Sequence, residues 1–203
     1  MAAPSKPPPE APSEELGGTA PSDSDAASSS AEFRVARASA EQLGAVGKLA
    51  GALVRMHHAT DADRFLLVDR VEEGYVWWFT NQLANPNAVI LVATRHPPST
   101  WDAPEVVGYA YGSLEERDWN MLLDHHGAVH DVFVSSDARG AGVGKMLIEA
   151  LVRELEALGA ERVVLHTMVQ NKAAQRLFAS VGFRATMLEM TRSTAADGEP
   201  NEG

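Results

Sequence analysis

The spacing of apolar side chains resolves the chain into short strands and amphipathic helices. Residues 33–36 predict a first strand. Ser39 with Gln42 three residues on has the form of a capping box, after which Leu43, Val46, Ala50 and Leu53 recur at helical spacing. A polar break over 60–64 separates this helix from a second helical stretch over 68–83. That stretch closes at Asn85-Pro86-Asn87, where the residue before a proline is pushed out of the helical region. The two read as a helical hairpin. Residues 88–94 form a compact β-branched run, 96–103 a turn containing two prolines, and 105–114 an alternating antiparallel partner. Another strand is predicted over 129–135. Behind it Val143, Leu147, Leu151, Leu155 and Leu158 mark one face of a helix that stops at Gly159. A strand over 162–169, a helix over 171–181 capped by Gly182, and a terminal strand over 183–191 complete the pattern. The order β, α, α, β, β, β, α, β, α, β predicts a mixed α/β domain, one sheet covered by helices, without internal repeats.

Composition marks off the ends. Residues 1–31 hold six of the eleven prolines and almost no large apolar side chains, too few to offset chain entropy, so a disordered tail is expected there. A second tail is expected over 192–203, leaving 32–191 as one domain, the size that 203 residues allow. The N-terminal segment lacks the apolar core of a signal peptide, and no run approaches the roughly 18 apolar residues of a membrane span. A soluble, cytoplasmic protein without membrane contact is the expectation. No cysteine is present, which excludes disulfides, thiolate metal sites and a cysteine nucleophile. Of the formal charge of −11, the tails account for −4 and −2, and the remaining −5 argues against a nucleic acid partner and fits a cationic substrate.

The chemistry concentrates after the strand at Val132-Phe133-Val134. Arg139-Gly140-Ala141-Gly142-Val143-Gly144-Lys145 carries three glycines into the start of a helix. Helix N-termini present unpaired N–H groups and about half a positive charge, and glycines admit a bulky pyrophosphate. Other phosphate motifs fail on spacing. A Walker loop needs Gly at 139 and Ser or Thr at 146, where Arg139 and Met146 stand, and a dinucleotide fingerprint from Gly140 needs Gly at the position of Lys145.

Arg139-x-x-Gly142-x-Gly144 after that strand resembles the coenzyme A pyrophosphate motif of the GNAT acetyltransferase superfamily. Asn171-x-x-Ala174-x-x-Leu177-Phe178, ending in Gly182-Phe183, resembles its next motif. The resemblance spans about residues 32–191 and implies a mixed, mostly antiparallel central sheet of about six or seven strands, flanked by four helices, with splayed central strands. It implies an acetyl-CoA-dependent N-acetyltransferase acting on a primary amine of a small molecule or a protein by direct attack in a ternary complex. A binding or regulatory module with little transfer is the alternative. By the same resemblance, backbone groups of Val132, Phe133 and Val134 hold the pantetheine arm like an added strand, residues 139–145 hold the pyrophosphate, and Asn171 and Phe178 line the acetyl end. Asn171 is equally suited to cap a helix.

An amine attacks only when neutral, so a base is needed. The two positions where the family often carries a glutamate are His130 and His166, whose residue type titrates near neutral pH. By strand parity His130 shares a face with Val132 and Val134, and Asp131 lies opposite. The family's usual tyrosine acid is here Phe178, which supplies no proton; Tyr109 and Tyr111 are substitutes or packing residues. The hairpin and the loop before the motif strand, with His57, His58, Asp61, Asp63, Arg64, Phe65, Trp77, Trp78, Trp119 and Asn120, are expected to shape the acceptor side. Histidines 57, 58, 125, 126 and 130 lack the spacing of a metal site, and none is expected. A homodimer is compatible with all of this.

Overall fold

The computed structural model describes residues 32–96 and 103–194. The tail expected over 1–31, and all but the first residues of that expected over 192–203, lie outside the described residues. Strands β1 (Glu32–Arg37), β2 (Ala88–His96), β3 (Glu105–Glu115), β4 (His126–Val134) and β5 (Val163–Leu165) form one sheet in the order β1-β2-β3-β4-β5. The first four pair antiparallel in sequence order, β1 and β2 being joined through two helices and the next two pairs by loops. Only β4 and β5 run parallel, joined through a helix.

Helices α1 (Leu43–Thr60) and α2 (Val71–Gln82) cover one face of the sheet; α3 (Val143–Ala157) and α4 (Lys172–Ser180) cover the other. Leu147, Ile148, Leu151 and Leu155 of α3 are fully buried, each worth about 1.5–3 kcal/mol of burial. Their close approach depends on glycine: a Cβ on Gly112 would stand 2.7 Å from the Ala128 carbonyl oxygen and 3.3 Å from Leu151. On the other face a Cβ on Gly47 of α1 would lie 2.8 Å from the Glu72 carbonyl oxygen and 2.7 Å from Val76, so α2 sits directly against α1.

Four expectations need correction. The strand expected over 162–169 pairs only at Val163–Leu165. The terminal strand expected over 183–191 is not a strand, so the described sheet has five members rather than six or seven. Met187, Leu188 and Met190, the large apolar residues in its second half, are exposed. Helix α2 begins at Val71 rather than 68, because Arg70 takes φ 55 and stops helical propagation toward Val68. The fourth correction concerns β4 and belongs with the site.

Candidate active site

Parallel pairing of β4 with β5 runs Gly127↔Val163, Ala128↔Val164, Val129↔Leu165 and then stops. The next residues on the two strands are His130 and His166. Beyond this fork β4 continues to Val134 bonded only to β3, so its other edge, from His130 onward, has no strand partner among the described residues. This is an open row of backbone donors and acceptors, the surface to which an extended ligand adds as a strand.

The open edge leads into the glycine turn. After a short 3-10 turn at Ser136–Ala138, Gly140 takes φ 83 and Gly142 φ 82, left-handed conformations that a side chain resists. Gly142 is the N-cap of α3, so no side chain caps the first-turn amides, and that turn carries no acid. The amides of Val143, Gly144 and Lys145 are therefore free of intrahelical partners by the geometry of a helix start, as an anion site requires. Gly144 has a different task. A Cβ there would meet Leu177 at 3.2 Å, so this glycine seats α4 against α3. Ala141 is exposed within the turn. Arg139 folds back, its Nε donating to the Val134 carbonyl at 3.0 Å and its guanidinium 5.4 Å from the centre of the Phe133 ring. Lys145 is exposed, 3.8 Å from Glu149.

Val132 and Val134 turn their side chains to the α3 cluster, and Phe133 is buried beneath α1 and α2. Only their backbone can meet a ligand on the open edge. Asn171 caps α4, its Oδ1 accepting from the Ala174 amide at 3.0 Å. Phe178 is partly buried against the α3 cluster and packs edge-on against Phe183 with ring centres 6.1 Å apart.

The parity expected for His130 is overturned. Tyr111 pairs with Asp131 while Gly112 pairs with Val129, leaving His130 as an extra residue in a β-bulge. The bulge turns His130 and Asp131 to the same side, that of α1 and α2, and leaves Val132 on the other. His130 stacks on Tyr111 with ring centres 5.0 Å apart and planes 24° apart. Its Nε2 lies 2.8 Å from the Ser113 hydroxyl and 3.5 Å from Glu115, and Ser113 donates to Glu115. Asp131 accepts from the Tyr109 hydroxyl at 3.1 Å. Burial pushes the Asp131 carboxyl above the usual aspartate range, against the pull of that hydrogen bond. Burial, helped by the Asp131 charge, pushes Tyr109 well up and Tyr75 to about 12, so both stay protonated donors at neutral pH. Burial also raises Tyr111.

Ser113, Glu115 and Tyr75 were not among the residues singled out from the sequence, and Asp131 was set aside there as facing away from His130. The signal was the alternation Tyr109, Tyr111, Ser113, Glu115 along β3, which places hydroxyls and a carboxylate on one face and Ala110, Gly112 and Leu114 on the other. His166 is exposed at the end of β5, and its electrostatic reach includes Glu189, which pairs with Arg64 of the loop between α1 and α2. His57 packs on Phe65, ring centres 4.9 Å apart, with its imidazole pushed down by burial, and His58 bonds the Phe65 carbonyl at 2.8 Å. Trp78 lies within the aromatic group under Tyr111, whereas Trp77 and Trp119 are exposed.

The profile of the Acetyltransferase (GNAT) family matches residues 55–183. The chain belongs to the GNAT acetyltransferases. Among similar sequences is an N-alpha-acetyltransferase of Sulfurisphaera tokodaii, 29% identical over 154 residues, 72% of this chain and 87% of the relative. Another is an L-methionine sulfoximine/L-methionine sulfone acetyltransferase of Pseudomonas aeruginosa, 37% identical over 108 residues, 52% of this chain and 56% of the relative. Solved GNAT-like folds include the aminoglycoside N-acetyltransferase AAC(6')-Iy in complex with CoA, with a TM-score of 0.60 and 15% identity over 82% of this chain and 97% of that one. A transcriptional regulator from Bacillus halodurans aligns with a TM-score of 0.60 and 19% identity over 80% of this chain and 99% of that one. GNAT acetyltransferases draw the acetyl group from acetyl-CoA and pass it to an amine. The open β4 edge, the left-handed glycines and the uncapped α3 start fit that donor. No helix among the described residues is long and apolar enough to cross a membrane.

Proposed function

We propose that this acetyltransferase acetylates the α-amine of an amino-acid-like small molecule, with His130 accepting the amine proton. The observation that carries this reading is the fork after Val129↔Leu165, where a titratable side chain stands at the root of the open β4 edge. Backbone groups of 132–134 hold the pantetheine arm, the turn from Arg139 to Lys145 holds the pyrophosphate, and Asn171 and Phe178 wall the acetyl end. Acetyl-CoA supplies the activated acetyl group. The bulge delivers His130 to the face where Tyr111, Tyr75 and Asp131 line the acceptor side, and a partly buried carboxylate suits a cationic amine. His166 at the other prong is the second candidate base.

The acceptor class is supported by the relatives. L-methionine sulfone carries one amine, on its α-carbon, and an N-alpha-acetyltransferase is named for an α-amine. An α-amine titrates near 7.7–8.0 against roughly 10.4 for lysine, so removing its proton near neutral pH asks less of the accepting group. The N-terminal amine of a peptide is a second reading, favoured by the larger share of the chain that aligns with the archaeal relative.

A thiol-release assay tests both. L-methionine sulfone should turn over faster than its N-blocked form and faster than a lysine side chain in a blocked peptide. Higher kcat/KM for peptides with free N-termini would install the second reading, and preference for the lysine side chain would reject both. His130→Ala should lower kcat by roughly 10² or more, while the same loss in His166→Ala with His130→Ala active would move the base to His166.

A further inference from the structure

His130, Ser113 and Glu115 form a chain of hydrogen bonds whose polarity is fixed by chemistry. An ionised carboxylate only accepts, so the Ser113 hydroxyl gives its one proton to Glu115. The oxygen of Ser113 then has only lone pairs left for the His130 Nε2 that lies 2.8 Å away, and Nε2 must carry the hydrogen. The second oxygen contact of that nitrogen, Glu115 at 3.5 Å, is likewise an acceptor. Nδ1 has no hydrogen-bond partner among the described residues.

We infer that Ser113 and Glu115 are positioning residues that hold neutral His130 as the Nε2–H tautomer, so that Nδ1 is the atom that takes the proton. This rests on the reading of His130 as the base. The acceptor arrives as an ammonium and gives one proton to Nδ1. Its freed lone pair forms the N–C bond to the acetyl carbon, the C–S bond breaks with its electron pair on sulfur, and a second nitrogen proton passes to that sulfur. The imidazolium left behind is stabilised by Glu115 through Ser113, and regains neutrality by losing the proton to solvent.

The surroundings support a positioning role. Ser113 is one of two buried polar residues in the described core, which is costly unless the hydroxyl is bonded on both sides. Tyr111 stacks on the ring and fixes its plane. The charged and titratable groups facing His130 are Glu115 and Tyr111 from β3 and Asp131 from β4. Of these Asp131 is held by Tyr109 rather than by the imidazole.

Long-range proton–nitrogen correlation NMR of the full chain with nitrogen-labelled histidine reads the tautomer without needing activity. The His130 resonances are those lost in His130→Gln. Expected is an Nε2–H tautomer in the neutral form. Ser113→Ala should give a mixture of tautomers and lower kcat about tenfold with the KM for acetyl-CoA unchanged, and Ser113→Thr, which keeps the hydroxyl, should restore both. Glu115→Gln, at a half-exposed position where folding is not at stake, should lower kcat with the same unchanged KM. An Nδ1–H tautomer in the parent protein, or Ser113→Ala and Glu115→Gln variants with parental kcat, would overturn the inference. A fully active His130→Ala with the Nε2–H tautomer present in the parent would instead remove His130 from the mechanism while leaving the tautomer assignment intact.

Discussion

Asp131 is a partly buried acid whose chief companion is a neutral hydroxyl, and this makes its pH dependence run opposite to that of an ion-paired aspartate. Because burial raises its pKa in the folded protein, the folded state holds its proton more tightly than the unfolded chain does. Stability from this group is therefore present below the unfolded value of about 4 and is lost as pH rises from there through the folded value. Asp131→Asn keeps an acceptor for Tyr109 and removes the charge. Its melting temperature should equal that of the parent or fall slightly below it at about pH 3.5, and exceed it at about pH 7; a variant less stable than the parent at neutral pH would show that the carboxylate is paired. Tyr109→Phe should cost about 1–3 kcal/mol, measured by urea unfolding, because it leaves Asp131 without its donor. The glycine turn gives a second contrast between single residues. Gly142→Ala forces a side chain into the left-handed region and should cost about 1–2 kcal/mol. Gly144→Ala in the same motif has ordinary helical backbone and meets only the flexible tip of Leu177, so urea unfolding should find it the milder of the two.

Helices α1 and α2 depend on a contact that periodicity does not reveal. The apolar spacing of Leu43, Val46, Ala50 and Leu53 announces the buried stripe of α1, but Gly47 and Gly51 look like weak points in a helix until Glu72 and Val76 are seen against them. Gly47→Ala gains helix propensity yet pushes on a backbone carbonyl 2.8 Å away, and overpacking should win, with a net loss of about 1–3 kcal/mol by chemical unfolding. A stabilised variant would mean that α2 slides freely. The same limit governs what was legible along the chain. Strands β1 to β4, both helical pairs and the glycine turn follow from local periodicity and local chemistry, and so does the Asn171 cap. The bulge at His130 is a property of two strands: the polar pair His130-Asp131 interrupts the alternation of 129–134, but only the register against Tyr111 and Gly112 shows that an extra residue is inserted there. Parity counted from Val132 therefore put His130 on the wrong face. The segment 183–191 failed for the converse reason, since apolar side chains supply strand propensity but not a partner edge, and β5 offers only Val163–Leu165.

The donor site proposed above draws on β4, the start of α3 and the start of α4, so binding acetyl-CoA should tie these parts together and stabilise the folded chain as a unit. A ligand that binds only the folded state adds about 2.7 kcal/mol at one hundred times its Kd, which for a domain of this size raises Tm by roughly 5–10 °C. Acetyl-CoA should produce that shift. Because the turn from Arg139 to Lys145 is assigned the pyrophosphate, adenosine diphosphate at high concentration should produce part of it and pantetheine, which lacks phosphate, a separate part. Gly142→Ala should lower the ligand-free Tm and also shrink the shift with acetyl-CoA and adenosine diphosphate, since a Cβ at the N-cap displaces the amides that meet the anion, while the shift with pantetheine persists. An undiminished shift with adenosine diphosphate in this variant would move the pyrophosphate away from the α3 start. The variant's instability alone does not produce this pattern, because a folded but strained protein binds all ligands through mass action, and only loss confined to the phosphate-bearing ones reports on the turn.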